Sequence, residues 1–136
     1  MLFQIEKRVC FCDTDAGGVV YHSKYLDFCE EARLEFMLSL GISQTTLKND
    51  YGLMFVVKNC HINYIHSAKL ENLLRVTVEN AELKAPLMKI SHLIYNGENT
   101  PIAQCELDLV VVNSQGKLLR RLPEEFLLKF NKYAHI

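Results

Sequence analysis

Apolar residues recur along the chain with two different spacings, and these spacings predict its secondary structure. In residues 3–11 apolar side chains largely alternate with polar ones, which predicts a first β-strand. In residues 25–40 they recur every three or four positions, as on one face of an α-helix. Ser23 is a suitable N-cap for this helix, and Gly41 is a suitable residue to end it. The apolar stripe comprises Tyr25, Cys29, Ala32, Phe36 and Leu40.

Alternation returns in four later segments, which predict four further strands. These segments lie at residues 60–64, 74–78, 88–94 and 103–111, with turn-forming residues between them. A polar stretch at residues 43–52 separates them from the long helix and is expected to be a connection. The link between the last two segments is short, which favours antiparallel neighbours. Pro123 and the two glutamates after it predict a short terminal helix.

One strand, one long helix and four strands without intervening helices are typical of an α+β fold. We expect a single domain over residues 1–136, with the long helix packed on a five-stranded antiparallel sheet. One helix can cover only one face of such a sheet, and an uncovered face or edge tends to bind another chain. The terminal segment or a second subunit must therefore cover the rest, so we expect an oligomer.

The composition argues against several classes of partner. Lys and Arg number 15 against 16 Asp and Glu, and this near-neutral balance gives no general attraction for nucleic acid. No apolar run is long enough to span a membrane, and the N-terminal segment lacks the apolar core of a signal peptide.

None of the five cysteines stands in a C-x-x-C spacing, and most lie in apolar stretches. We therefore expect reduced, buried thiols in a cytoplasmic protein.

Polar chemistry is concentrated in residues 11–25, FCDTDAGGVVYHSKY. The simplest interpretation is a polar turn, because Asp, Thr and Gly satisfy or tolerate the backbone of connections. However, about four residues would suffice for such a connection, and the second half of this one is apolar. Val19, Val20 and Tyr21 indicate a segment that folds inward. Such a segment would carry Asp15 to a dry, ligand-sized space.

The start of the predicted helix adds a second chemical feature to this segment. The first N–H groups of a helix, here around residues 22–26, have no partner within the helix, and the helix dipole places about half a positive charge there. Such a site favours a negative charge or a polarised carbonyl oxygen. A carboxylate beside it is the minimum apparatus for acyl transfer.

The string D-T-D-A-G-G-V-V-Y-H at residues 13–22, followed by Y-L-D-F-C-E-E-A-R at residues 25–33, resembles the signature of hotdog-fold acyl-CoA thioesterases. It is most similar to the 4-hydroxybenzoyl-CoA thioesterase family, and within it to the bacterial branch often encoded beside the Tol-Pal envelope system. The resemblance continues through residues 55–64 and 68–76. It implies a long central helix wrapped by an antiparallel sheet, in homodimers or homotetramers with active sites at the subunit interface.

The resemblance also assigns roles to residues. It implies that Asp15 is the catalytic carboxylate, as nucleophile or general base, and that the backbone N–H near His22 polarises the thioester carbonyl. The implied substrate is an aliphatic or aromatic acyl-CoA, or an acyl group on acyl carrier protein. No cofactor is expected, and no metal, because Asp13, Asp15 and His22 fit no established metal-binding spacing. No motif marks the coenzyme A site, for which the candidate phosphate contacts are Lys58, Lys69, Arg75, Lys84 and Lys89.

Alternative functions use the same residues. A module that binds acyl carrier protein or envelope lipid enzymes, with little turnover, would need the same pocket, and a dihydroxynaphthoyl-CoA hydrolase is a narrower enzymatic variant. A haloacid-dehalogenase-type phosphatase is suggested by D-x-D after an apolar strand. However, Gly17 stands where its threonine is expected, and the later strands lack the helices of a doubly wound sheet. Asp13 is expected to hold the turn, and His61 and His92 to be exposed or satisfied strand residues.

Overall fold

A computed structural model of the chain describes residues 1–134, with side chains as far as residue 131. Within these residues it contains six strands and three helices, besides a 3₁₀ turn at Phe11–Asp13. None of the described helices combines the length and apolarity that a membrane crossing requires. The elements in chain order are β1 (Phe3–Arg8), α1 (Lys24–Ser39), α2 (Gln44–Tyr51), β2 (Leu53–Tyr64), β3 (Leu73–Val78), β4 (Asn80–Lys84), β5 (Leu87–Tyr95), β6 (Pro101–Asn113) and α3 (Glu124–Ala134).

The strands form one antiparallel sheet in the order β1-β3-β5-β6-β2. The remaining strand, β4, pairs with β5. α1 packs against β1, β3 and β6. The predicted α+β architecture, a long helix on an antiparallel sheet, is therefore confirmed. The sheet has six strands rather than five, because β4 also pairs with β5. The pattern of β4 is weak, since Ala81 is its one buried residue. An antiparallel sheet excludes the doubly wound phosphatase alternative.

One face of α1 is buried because it lies against the sheet. The helix is followed by Gly41, as predicted, whose φ of +80° suits glycine. Its N–H donates to the carbonyl of Leu38, and the N–H of Ile42 donates to that of Met37. Ser23 does precede the first helical residue, but its side chain makes no capping hydrogen bond, so that part of the prediction is wrong. The buried face comprises Tyr25, Phe28, Cys29, Ala32, Phe36 and Met37.

β1 is shorter than the alternation of residues 3–11 predicts. It ends at Arg8, and Phe11 is 82% exposed in the 3₁₀ turn. The apolar pattern is misleading here because the chain bends away from the sheet after Val9, which is itself buried. The bend depends on a side-chain hydrogen bond from the backbone of Cys10 to Asp13, which apolar periodicity does not report.

Residues 44–51 form α2, so the prediction of a connection over this polar stretch is wrong. Ser43 caps the helix by accepting the N–H of Thr46 through its hydroxyl, and Gly52, with φ of +66°, ends it. Leu47 is its one buried residue. Capping residues therefore mark this surface helix, whereas apolar periodicity does not.

The cysteines are all free, but Cys29 and Cys105 alone are buried. Cys10, Cys12 and Cys60 are exposed, so the prediction of buried thiols is wrong for these three. Their apolar neighbours in the sequence belong to the turn after β1 and to the edge strand β2, and both of these segments face solvent.

β2 forms an edge of the sheet, since it pairs with β6 but with no other strand of the described chain. α3 covers the beginning of β2, where the rings of Phe55 and Phe126 lie 5.9 Å apart. Farther along, Val56 and Val57 are exposed. A long edge strand with exposed apolar side chains is a surface to which another chain can add. The terminal segment thus packs on the first part of β2, and the edge itself stays open in the described chain.

His92 of β5 is a fully buried polar residue next to α1. Its Nδ1 lies 2.8 Å from the carbonyl oxygen of Thr77, so this nitrogen carries the proton and donates it. Nε2 then has a lone pair, which accepts from Nη1 of Arg33 at 3.3 Å. Burial, helped by the charge of Arg33, lowers the pKa of His92 from 6.5 to about 4. As predicted, His92 is a satisfied core histidine and His61 is an exposed strand residue.

The neutral state of His92 should make the stability of the fold sensitive to acid. The unfolded chain, in which the histidine has a pKa near 6.5, takes up a proton at higher pH than the folded chain, where the pKa is about 4. The free energy of unfolding should therefore be highest above pH 6.5. It should fall by about 3 kcal/mol in all as the pH drops to about 4. Urea unfolding at a series of pH values across this interval measures the loss.

The variant His92→Gln serves as the control for this prediction. Its amide can retain one hydrogen bond but does not titrate, so it should be less stable at neutral pH and lose most of the slope between the two pKa values. A slope that persists unchanged in this variant would show that other groups cause the acid sensitivity.

Candidate active site

The turn after β1 is held by Asp13, which is buried. Its Oδ2 accepts the backbone N–H of Cys10 at 2.9 Å. Its backbone carbonyl accepts the N–H of Tyr21, also at 2.9 Å. The side chain thus closes the 3₁₀ turn, while the main chain of the same residue joins that turn to the segment before α1. Asp13 therefore has the holding role that its position predicts, and it does not line the cleft that contains Asp15.

Residues 15–19 form a tight turn that orients Asp15. The N–H of Asp15 donates to the carbonyl of Val19 at 2.9 Å, and the N–H of Gly18 donates back to Asp15 at 3.1 Å. Oδ1 of Asp15 accepts the N–H of Gly17 at 2.8 Å. A Cβ at position 17 would lie 3.2 Å from that oxygen, so glycine permits this approach. One carboxylate oxygen is thereby fixed, and Oδ2 makes no hydrogen bond within the described residues.

Asp15 and His22 line the same cleft, which has a volume of about 500 Å³. Small-molecule sites commonly range from about 300 to 1,000 Å³. The structure therefore brings together, in one space of suitable size, the two residues on which the motif places the chemistry. The remaining lining residues are Val19, Val20, Tyr21, Tyr25, Tyr64, Ile65, His66 and Ser67.

The predicted inward fold of the segment before α1 is confirmed for Val20. This residue is buried and donates its N–H to the carbonyl of Ala68 at 2.8 Å. Asp15 and Tyr21 are exposed, so the expectation of a dry space is wrong for the single chain. Asp15 stands at the tip of its turn, and no segment of the described chain shields it from solvent.

The main chain just before α1 has an available donor at His22, a residue that lines the cleft. The N–H of His22 makes no hydrogen bond within the described residues. It lies just before a helix of 16 residues, whose dipole adds a partial positive charge at this end. An oxygen that develops negative charge would be stabilised here. The imidazole of His22 is exposed and packs beside the ring of Tyr21, with centroids 4.4 Å apart.

Two tyrosines of the cleft make hydrogen bonds that pattern analysis misses. The hydroxyl oxygen of Tyr25, which is buried, accepts the N–H of Ala68 at 3.2 Å. Burial raises the pKa of Tyr25, so the hydroxyl keeps its own proton for donation. Tyr64, the last residue of β2, donates its hydroxyl to the carbonyl of His22 at 3.0 Å. In both cases the partner is a main-chain atom, and main-chain atoms leave no signal in the residue types.

The cationic candidates for coenzyme A contacts separate by position. Lys69 lies beside the cleft, because its backbone pairs with Val19 through a β-bridge. Arg75 and Lys89 are engaged with side chains elsewhere on the sheet. Within the described part of the chain, no group of three or more His, Cys, Asp and Glu side chains is placed to hold a metal ion.

The geometry is suited to chemistry at a carbonyl carbon. Oδ2 of Asp15, which makes no hydrogen bond within the described residues, can add to such a carbon or take a proton from water. The N–H of His22 can stabilise the negative charge that develops on the carbonyl oxygen. These are the two parts that an acyl-transfer site needs, and the two residues that carry them line one cleft.

Comparison with known proteins identifies the family. A family model described as the thioesterase-like superfamily matches residues 9–130. The chain belongs to the thioesterase-like superfamily. The match extends from the turn after β1 to α3 and includes every residue that lines the Asp15 cleft.

Members of this superfamily are similar to the chain over different lengths. The acyl-CoA thioesterase YbgC of Haemophilus influenzae is 49% identical over 82 residues, which are 60% of this chain and 60% of that protein. The acyl-CoA thioester hydrolase YbgC of Escherichia coli is 33% identical over 131 residues, which are 96% of this chain and 97% of that protein. A probable thioesterase from Bartonella henselae of known structure is 33% identical, with a TM-score of 0.81 over 88% of this chain and 98% of that one. The resemblance to hotdog-fold acyl-CoA thioesterases is thereby confirmed, whereas the Tol-Pal association stays a prediction.

The two aspartates of the motif should contribute differently to stability. Asp13→Ala leaves the N–H of Cys10 without its acceptor in the turn and should lower the free energy of unfolding by about 1–2 kcal/mol. Asp15→Ala removes one local, exposed hydrogen bond and should change it by less than about 0.5 kcal/mol. Urea unfolding of both variants beside the wild type checks this difference. Equal losses would contradict the holding role of Asp13.

Proposed function

We propose that the protein hydrolyses acyl-CoA thioesters to a free acid and coenzyme A, with Asp15 as the catalytic carboxylate and the backbone N–H of His22 as donor to the thioester carbonyl. The observation that carries this proposal is that Asp15 and His22 line one cleft, while Oδ2 of Asp15 and the N–H of His22 make no hydrogen bond within the described residues. The reaction class is supported by the relatives named acyl-CoA thioesterases, one of which is similar over nearly the whole chain.

A thioester suits an apparatus with so few parts. The sulfur lone pair stabilises the carbonyl only weakly by resonance, and a thiolate leaves with little help from an acid. One carboxylate and good hydrogen-bond donors to the oxyanion therefore suffice. Asp15 either attacks the carbonyl carbon, forming a mixed anhydride that water then cleaves, or takes a proton from an attacking water. Both routes consume one water, break the carbon–sulfur bond and leave a proton for the thiolate. His22 stabilises the oxyanion in both.

The surroundings of the cleft support an acyl group and a phosphate-bearing carrier. The rings of Tyr21, Tyr25 and Tyr64 line the space beside Asp15, and they can pack against aliphatic or aromatic acyl groups. Lys69 is placed beside the cleft, where it can meet a phosphate of the carrier. Coenzyme A and acyl carrier protein hold the acyl group on the same kind of thiol-bearing arm, which carries a phosphate at its other end. Either carrier therefore fits these contacts.

The active form is proposed to be a homodimer or homotetramer. β2 has an open edge with exposed apolar side chains, and Tyr64 at the end of this strand also lines the cleft. A second copy that adds to the edge would therefore lie next to Asp15 and shield it from solvent. This arrangement accounts for an exposed carboxylate in a chain whose relatives are named as thioesterases.

The central test is the variant Asp15→Asn, assayed for thiol release with a panel of aliphatic and aromatic acyl-CoAs. The amide keeps the shape of the side chain but can neither attack nor take a proton, so turnover should fall by about a thousandfold or more. Asp50→Asn on α2 is the matched control, because it also neutralises a carboxylate but one outside the cleft, and it should keep the wild-type rate.

The outcomes of this assay separate the competing functions. Wild-type rates in Asp15→Asn would contradict the carboxylate mechanism. Tight binding of acyl-CoA or acyl carrier protein by the wild type, without measurable thiol release, would instead support the binding module. A metal chelator should leave the rate of thiol release unchanged. A loss of activity in its presence would show that the enzyme requires a metal.

The open edge gives a second test, in which Val57→Glu places a charge among the exposed apolar residues of β2. Charge on an edge strand disfavours the addition of another strand, so the variant should shift towards the monomer in light scattering coupled to gel filtration. Thiol release per chain should fall in parallel. Leu128→Glu on α3, also an exposed apolar residue, is the control and should change neither quantity. Full activity of a monomeric wild type would contradict the proposed assembly.

A further inference from the structure

Tyr64 connects the end of the edge strand to the start of α1. Its hydroxyl donates to the carbonyl oxygen of His22 at 3.0 Å, across 42 positions of sequence. Desolvation raises the pKa of Tyr64, so the hydroxyl is protonated at neutral pH and is a donor. This contact reaches the main chain at the position whose N–H is the proposed donor to the thioester carbonyl.

The hydrogen bond fixes the main chain at a point where α1 does not. The residues just before a helix lack the i to i−4 hydrogen bonds that hold its interior, so their peptide planes need other restraints. The carbonyl of His22 and the N–H of Ser23 belong to one rigid peptide plane. The N–H of His22 itself lies in the preceding peptide plane, whose carbonyl, that of Tyr21, accepts the N–H of Lys24 at 2.9 Å. Holding the oxygen of His22 fixes the following plane, so the two contacts together restrict rotation about both backbone bonds of His22 and thereby the direction of its N–H.

Tyr64 is itself firmly placed. The next two N–H groups, of Ile65 and His66, both donate to the carbonyl of Ile102 in β6, at 2.8 and 3.1 Å. The ring of Tyr64 lies 5.7 Å from that of Tyr25, between centroids. It also meets the imidazole of His22 edge to face at 6.4 Å. The hydroxyl is thus presented by a strand end that the sheet holds, rather than by a free loop.

We propose that Tyr64 is a positioning residue for the oxyanion donor: its hydroxyl holds the carbonyl of His22 so that the N–H of His22 points at the thioester oxygen. This inference rests on the proposed function of Asp15 and His22. The ring of Tyr64 also lines the cleft, and that contribution to acyl binding is separate, because phenylalanine would supply it equally well.

The test is Tyr64→Phe, which removes the hydroxyl and keeps the ring. With the N–H of His22 less well directed, kcat should fall about tenfold while KM changes by less than about threefold. The thermal unfolding midpoint should stay close to that of the wild type, because Tyr64 is half-exposed. Tyr51→Phe is the matched control, since its hydroxyl also donates to one acceptor, Glu125, but on α2 and outside the cleft.

Two non-hydrolysable ligands provide a readout that a packing role would not change. One is an S-(2-oxoalkyl) coenzyme A, which keeps a carbonyl but has no cleavable thioester, and the other is the corresponding S-alkyl thioether. Tyr64→Phe should weaken binding of the ketone about tenfold and leave binding of the thioether unchanged. The carbonyl stretching band of the bound ketone should also shift less from its value in water than it does in the wild type.

Each result counts for or against the role of Tyr64. Wild-type kcat in Tyr64→Phe, or an equal loss of affinity for both ligands, would overturn it while leaving Asp15 and His22 in place. Failure of the underlying function is recognised separately, because Asp15→Asn would then retain activity whatever the behaviour of Tyr64→Phe.

Discussion

The carboxylate of Asp13 accepts the N–H of Cys10, and the course of the chain after β1 depends on this contact. The apolar alternation that begins at Phe3 predicts a strand through Phe11, but β1 ends at Arg8. The chain turns after Val9 instead, and the carbonyl of Asp13 accepts the N–H of Tyr21 just before α1. The residues between these two points must then form a closed turn, and the exposed carboxylate of Asp15 lies at its tip.

Three segments that are distant in sequence meet around the cleft. The turn at residues 15–19, the start of α1 and the end of β2 each contribute one polar group. Directly after the first of these segments, Val20 donates its N–H to Ala68 at 2.8 Å, which joins this part of the chain to the residues that follow β2. The site is therefore assembled chiefly through main-chain contacts, and these depend on the sheet and the helix being correctly placed.

Most of the fold can be predicted from sequence wherever burial imposes a period. α1, β3, β5 and β6 each bury at least one face along their length, so their apolar residues recur at the expected spacing. α2 buries Leu47 alone and β4 buries Ala81 alone, so neither carries such a pattern. Phe11 and Cys60 are misjudged for a related reason, because an apolar residue in a bend or on an open edge looks the same in sequence as one in the core.

The candidate site is predictable only in part. Asp15 and His22 stand in a distinctive motif, which the cleft brings together as expected. Tyr64 escapes notice because its acceptor is a backbone carbonyl 42 positions away, and every residue type has such a carbonyl. The openness of the cleft is not visible in sequence either, since it depends on what lies over the tip of a turn.

The hydrogen bonds that orient Asp15 all lie within five consecutive residues. Its N–H, its carbonyl and its Oδ1 are satisfied by Val19, Gly18 and Gly17 in turn. The orientation of the carboxylate is thus set by a short peptide rather than by the protein interior. Evolution can replace core side chains, lengthen strands or reshape the acyl-binding walls while this pentapeptide keeps its conformation, which makes it a transferable unit for building new specificities on the same scaffold.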